Sequence, residues 1–322
     1  MTVQQLPFLI APARLWPGEA RWTAPVAVID LNAADVVPGA IALPPCPVIG
    51  VGDADHPLAR DLDALVEPPV AIEGLVSAIC ANPQAAAVTV QLLRLLPKMP
   101  THDGLAAESL AYAVLQGSAE HARWLEKLAA AKKPVATREG RVGVSLDRSC
   151  LTITLDRPEA GNAIDRAMRD SLFDAFSLAA LDPTLSRISL RARGRVFCLG
   201  AELSEFGTTR DPATAHAIRQ LTLPARAVAA VAGRMDVHIG GACVGAGLEL
   251  AAWAGRITAS RAAWFQLPEL AMGILPGAGG CVSLTRRIGR QRAALLILSG
   301  KRLNARQALG WGLIDALVDE AS

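Results

Sequence analysis

The spacing of apolar and polar positions changes character twice along this 322-residue chain. Up to about position 51 it reads as short strand-like runs broken by prolines, PVAVIDL at 25–31 and CPVIGVG at 46–52. From position 61 the apolar spacing becomes helical. Helices are predicted over 71–81 and 85–96, with Asn82-Pro83 as a stop followed by a residue suited to a new start. Two more are predicted over 104–115 and 119–131, the last with Trp124 and Leu125 inward. Lys132-Lys133-Pro134 and the polar run after it predict a linker. Beyond Gly140 strict alternation over 142–146 and 151–155 predicts a hairpin. An amphipathic helix over 162–180, a strand over 187–192 and a helix over 212–230 follow. A strand over 237–244 then runs through a glycine-rich turn into an apolar helix over 247–254. Strands alternating with helices predict an α/β layered fold.

Composition narrows the class. The length suits about two domains, or one large domain with an appendage, and it allows a core that needs no disulfide or metal. A hydrophobic fraction of 52% against 19% charged excludes a disordered chain. Charge and proline interrupt every long apolar run, so no membrane span is expected, and the first residues lack the regions of a secretory signal. The net charge of +2 carries no basic stripe, so neither a nucleic-acid nor a membrane partner is expected. Six cysteines and five histidines are scattered without metal-ligand spacing, which predicts no metal site, no disulfide framework and a cytoplasmic location.

Two carboxylates stand out. GAGLELAAWAG, 245–255, is apolar all round except for Glu249. Either that carboxylate is buried and used, or it takes a solvent face near a helix N-terminus. Glu269 lies in the apolar FQLPEL, 265–270, seven residues before the rigid turn PGAGG. Small residues at two strand-to-helix turns, CLGAEL (198–203) and the segment before Glu249, would leave backbone N–H groups open to a ligand. Two such donors on one carbonyl oxygen make an oxyanion hole. Paired carboxylates beside it suit proton transfer next to an activated carbonyl.

These segments, in this order, resemble the crotonase (enoyl-CoA hydratase/isomerase) superfamily. The blocks are LTITLDRPEAGNAI (151–164), RGRVFCLGAEL (193–203), HIGGACVGAGLELA (238–251), FQLPELAMGILPGAGG (265–280) and LSGKRLNARQALGWGLIDALV (298–318). The resemblance implies a ββα spiral core over 142–322, joined by a linker at 135–141 to a largely helical extension at 1–134. It implies an acyl-CoA thioester as substrate, no cofactor beyond the coenzyme A of that substrate, no metal, and a homotrimer or hexamer. It places the oxyanion hole at the main-chain N–H groups of Ala201 and Ala246, and the catalytic acids at Glu249 and Glu269. The implied substrate contacts are Cys198, Leu199, Gly200, Leu203, Gly245, Gly247, Phe265, Pro276 and Gly277. Possession of both glutamates favours hydration of a 2-enoyl-CoA. An isomerase, another acyl-CoA chemistry of the fold (a cofactor-free dioxygenase or C–C hydrolase) or a non-catalytic subunit are the alternatives.

The sequence departs from the family pattern in three respects. Glu202 and Gly255 stand where members usually have aspartate. The chain stops at DALVDEAS, where members continue into helices that cover the site. Segments 64–94 and 104–134 resemble that absent tail, and Asp63-Ala64-Leu65-Val66 repeats as Asp315-Ala316-Leu317-Val318 just where a tail would begin. The extension is therefore expected to be a degenerate or permuted crotonase-like piece whose helices cap the catalytic domain. Arg157 and Lys301 are candidate clamps for the nucleotide phosphates, and Trp264, Phe265, Phe206 and Trp253 are candidate pocket aromatics.

Overall fold

The computed structural model describes residues 8–18, 22–34, 40–131 and 138–319; the predicted linker falls largely outside them, at 132–137. The extension begins with a small parallel sheet, β1 (Ala27–Asp30), β2 (Val48–Val51) and β3 (Ala64–Leu65). Four helices follow, α1 (Ile72–Ala81), α2 (Pro83–Leu95), α3 (Thr101–Gln116) and α4 (Ala119–Ala130). The break between α1 and α2 is at Asn82-Pro83 as predicted. The strand β3, by contrast, interrupts a stretch that reads as helical, because two residues are too few to show a period.

The larger part is built on a six-stranded sheet. Its hairpin, β4 (Arg141–Asp147) and β5 (Cys150–Asp156), is antiparallel. Burial alternates along β5 as the sequence alternates. Parallel strands β6 (Arg187–Ala192), β7 (Met235–Ile239), β9 (Arg256–Ser260) and β12 (Ala316–Val318) complete it, in the order β12-β9-β7-β6-β5-β4. A second sheet joins β8 (Ala242–Val244), β10 (Trp264–Gln266) and β11 (Leu303–Asn304). The helices are α5 (Arg166–Leu181), α6 (Pro212–Thr222), α7 (Ala225–Val231), α8 (Ala246–Ala251), α9 (Gly280–Ser299) and α10 (Ala305–Gly310). None of the described helices is by itself long and apolar enough to cross a membrane.

Three further elements differ from the sequence prediction, each for a local reason. The apolar run 237–244 is two strands in two sheets. The chain crosses over at Gly240-Gly241, where a Cβ on Gly241 would lie 2.0 Å from the Arg195 carbonyl oxygen. Helix α5 starts at 166 and not 162, because Asn162 takes a positive φ of 54° and is used as a buried pin. Its Oδ1 accepts from Arg157 N–H, and its Nδ2 donates to the carbonyls of Arg193 and Val196. The helix predicted over 212–230 is broken into α6 and α7 at Leu223-Pro224, where proline cannot continue the ladder.

The extension and the remainder share one core. Leu75, Ile79, Leu93 and Leu105 belong to the same buried cluster as Leu155, Phe176, Leu248 and Leu296. The repeated tetrapeptide also acquires a structural meaning. Asp63 N–H donates to Val48 O at 3.0 Å, and Val48 N–H donates back to Asp63 Oδ2 at 2.8 Å. Asp315 and Ile257 repeat the arrangement, at 2.8 and 2.6 Å. Each aspartate opens a parallel edge strand, β3 on β2 and β12 on β9. Each also receives an arginine from α9, Arg290 for Asp63 and Arg287 for Asp315. Arg94 of α2 adds two further bonds to Asp63, at 2.8 and 2.6 Å.

Asp63 is 1% exposed, so removing it strands Arg94, Arg290 and the Val48 N–H at once. Asp63→Ala is expected to cost about 3–5 kcal/mol, the usual penalty for breaking a buried pair. Equilibrium denaturation in urea measures it, and a loss below about 1 kcal/mol would refute the latch.

Candidate active site

The site forms where two strand-to-helix turns meet. Val244 N–H donates to Cys198 O at 2.9 Å, and the Phe197 and Cys198 N–H groups both bond Ala242 O, so the turns after 198 and after β8 lie side by side. Gly200 has a φ of +99°, and a Cβ there would be 3.8 Å from Ala246 N. Gly245 has a φ of +48°, and a Cβ there would fall 2.7 Å from Glu269 Oε1. The positive φ favours glycine at both positions, and at Gly245 a side chain would also clash. Among the described residues no acceptor reaches the N–H of Ala201 or of Ala246, although both residues line the adjoining cavity. Two unoccupied main-chain donors side by side form a place for a developing oxyanion.

Glu249 is carried by α8 and is 3% exposed, which decides between its two sequence readings in favour of burial. Its Oε2 accepts from Ala278 N–H at 2.6 Å and Gly280 N–H at 2.9 Å. Oε1 has no protein partner among the described residues. Burial raises its pKa to about 7 against the lowering effect of those two N–H groups. A Cβ on Gly280 would lie 2.4 Å from Glu249 Cγ, so this turn accepts the carboxylate only as glycine.

Glu269 opens a single 3-10 turn, Glu269–Met272, after β10. It is 7% exposed and its Oε2 is buried without any partner. Burial, then the nearby Glu249, hold its carboxyl well above the usual range. The two acids thus differ in hydrogen bonding: one is gripped by N–H groups, the other is bare.

A cavity of about 640 Å³ joins these features, within the usual size of a small-molecule site. Of the residues singled out from sequence, Leu199, Gly200, Ala201, Leu203, Gly245, Ala246, Glu249, Glu269 and Gly277 line it. Cys198, Gly247, Phe265 and Pro276 do not, and these are corrections. Cys198 and Gly247 pack on each other behind the wall, where a Cβ on Gly247 would meet Cys198 Cβ at 2.4 Å. Phe265 is fully buried in the core on the central strand of its sheet. The Pro276 carbonyl accepts from Cys281 Sγ inside the protein.

Arg157 is likewise not a surface clamp. It is 2% exposed, donates to Glu202 Oε2 at 2.8 Å, and lies 3.5 Å from Asp165. Lys301 is exposed and lies outside the cavity wall. Of the candidate aromatics only Phe206 lines the cavity; Trp264 is stacked beneath Arg302 at 4.0 Å, and Trp253 is buried.

The extension supplies what the motifs did not indicate. Tyr112 and Gln116 of α3 and His121 of α4 line the same cavity. The Tyr112 ring lies against Gly277, and the Arg219 guanidinium stacks over it at 4.5 Å. Burial raises the Tyr112 hydroxyl pKa, so it stays protonated. His121 Nδ1 donates to Met272 O at 2.9 Å, docking α4 on the turn that carries Glu269, and burial lowers its pKa. Glu108 of α3 is 1% exposed and bonds the same turn that holds Glu249. The argument used for Glu249 also points to it, as the one carboxylate of the predicted apolar helix over 104–115. Among the described residues no group of three or more His, Cys, Asp or Glu side chains could hold a metal ion.

Comparison with known proteins places this geometry. Residues 146–322 match the family model described as Enoyl-CoA hydratase/isomerase. A 2,3-dehydroadipyl-CoA hydratase of Escherichia coli is 36% identical over 171 residues, 53% of this chain and 66% of that protein. An enoyl-CoA isomerase/hydratase of Mycosarcoma maydis is 37% identical over 172 residues, 51% of this chain and 63% of its own. The chain thus spans just under two thirds of the length of these relatives. A crystal structure of a Mycobacterium abscessus protein assigned to the same enzyme class superposes with a TM-score of 0.52 at 36% identity, covering 56% of this chain and 71% of that one.

The Gly245 geometry gives a stability test. Gly245→Ala combines a strained φ with a clash against Glu269, so a loss of about 1–3 kcal/mol is expected in urea denaturation. An unchanged midpoint would show that the turn has room for a side chain.

Proposed function

Because the chain belongs to the enoyl-CoA hydratase/isomerase family, we propose that it adds water across the C2=C3 bond of a 2-enoyl-CoA thioester. One observation carries the reading: two buried glutamates, each with an oxygen free of protein partners, face one cavity with two unpartnered main-chain N–H groups. The thioester carbonyl oxygen accepts from Ala201 and Ala246. Water bound between the carboxylates attacks C3 as Glu249 takes its proton. The C2=C3 electron pair moves onto C2 and the thioester oxygen, and the enolate is held by the two N–H groups. Glu269 then gives its proton to C2. The opposite environments of the two acids suit opposite roles, an ionised base and a protonated acid.

The extension fits the role of a lid. Tyr112, Gln116 and His121 close one side of the cavity. A second groove, of about 1040 Å³, is lined by Leu125, Leu128 and Ala129 of α4 opposite Ala160, Ala163 and Arg210. It shares Leu199, Ala201 and Leu203 with the cavity, which gives the coenzyme A arm a continuous path. In this reading α3 and α4 act as the lid of the cavity. Leu110, Val114, Leu181 and Leu221 are exposed apolar side chains that support a homo-oligomer.

Glu249→Gln and Glu269→Gln are each expected to lower kcat by about 10²–10⁴, followed as loss of enoyl absorbance over a panel of 2-enoyl-CoA thioesters. Near wild-type activity of Glu269→Gln would overturn the assignment, and turnover of 3-enoyl but not 2-enoyl thioesters would make the enzyme an isomerase. The base must be ionised, so kcat/KM is expected to fall as pH drops through about 7, the raised value for Glu249. A profile flat from pH 8 down to pH 5 would count against Glu249 as base.

A further inference from the structure

Glu108 is a buried carboxylate that the hydration scheme leaves without a task. It is 1% exposed and is not part of the cavity wall. Its Oε1 accepts from Gly279 N–H at 2.6 Å and its Oε2 from Val282 N–H at 3.2 Å. These donors interleave with Ala278 and Gly280, the two that hold Glu249 Oε2. The N–H groups at a helix start have no partners within the helix. At the start of α9 they are divided between carboxylates from two other elements. Tyr112, four residues after Glu108 and so on the same face of α3, lies against Gly277. Helix α3 therefore grips this turn at both ends.

We propose that Glu108 is a positioning residue for the active site: by occupying Gly279 and Val282 it fixes the turn so that Ala278 and Gly280 take Glu249 Oε2, leaving Oε1 to face the substrate. The catalytic consequence rests on the hydratase reading. The turn is demanding to hold, because Gly279 sits at a φ of +101° and Gly280 is pressed against Glu249, and Glu108 takes two of its N–H groups. Burial, then the charge of Glu249, hold the Glu108 carboxyl well above its usual range. The ionisable groups that face it are Glu249 of α8, Cys281 of α9 and Arg219 of α6, with His216 of α6 bonded to the adjacent Ser109. Two carboxyls on one turn in a buried place compete for a single negative charge.

The test uses the full chain with Glu108→Gln, which keeps an acceptor for Gly279 but carries no charge, and Glu108→Ala, which keeps neither. Glu108→Ala is expected to lower kcat by about tenfold or more with little change in KM, as a misplaced catalytic group does. Glu108→Gln is expected to lose less, with an acidic limb in kcat/KM near that of the unsubstituted protein. In Glu108→Ala the limb is expected to move to higher pH, because a displaced turn withdraws the Ala278 and Gly280 N–H groups that lower the Glu249 pKa. An unmoved limb and kcat in Glu108→Ala, with any loss confined to the melting temperature, would make Glu108 a structural cap and overturn the proposal. An infrared titration of the carboxyl band in the unliganded protein, assigned with Glu249→Gln, reads the same displacement without turnover. If no enoyl thioester reacts, the hydratase reading fails while this titration still decides the positioning: a Glu249 band that titrates at higher pH in Glu108→Ala upholds it, and an unmoved band overturns it. Should Glu108→Ala not fold, Glu108→Met, apolar and of similar length, takes its place.

Discussion

The site depends on how one turn, 276–280, disposes of its N–H groups. A carboxylate can remain inside a protein only where hydrogen bonds replace the water it loses. The start of α9 offers such bonds to Glu249 and Glu108, and Gly280 lets the Glu249 side chain approach. Glu269 receives no such bond to Oε2, and its carboxyl is raised by burial. Burial raises both carboxyls, and two N–H groups oppose the rise for Glu249 while none reaches Glu269 Oε2; that contrast follows from the difference in donors, not from any difference in residue type.

Helix α9 joins this chemistry to the architecture. Its first turn holds the acids, and Arg287 and Arg290, either side of the non-helical Gly289, reach aspartates that open equivalent edge strands. One of those strands lies in the extension and the other in the catalytic core. Helices α1, α2 and α3 also contact α9. The extension is thereby packed on the element whose first turn bonds Glu249 and Glu108.

Much of this was legible in the chain. Alternation over 142–146 and 151–155 became the hairpin, and Asn82-Pro83 became the break between α1 and α2. The two lone glutamates in apolar runs became the buried pair. Errors fell where a single contact overrides a local pattern. Phe265 belongs to the motif that carries Glu269 yet is buried in the core, and Arg157 resembles a surface cation yet neutralises Glu202 and Asp165. Asn162 sits in an amphipathic stretch but is removed from the helix by three hydrogen bonds to other segments.

The sequence by itself determined the family, most of the longer strands and helices, the two acids and the small residues that bare the Ala201 and Ala246 N–H groups. Those are properties of residue type and spacing, which a local pattern carries. Only the tertiary structure decided that α3 and α4 close the cavity, and that Tyr112 and Glu108 join a site lying some 140 to 170 positions further along the chain. The reason is physical: a hydrogen bond from Gly279 to Glu108 depends on two helices packing through a shared core, and no period in either segment records the other.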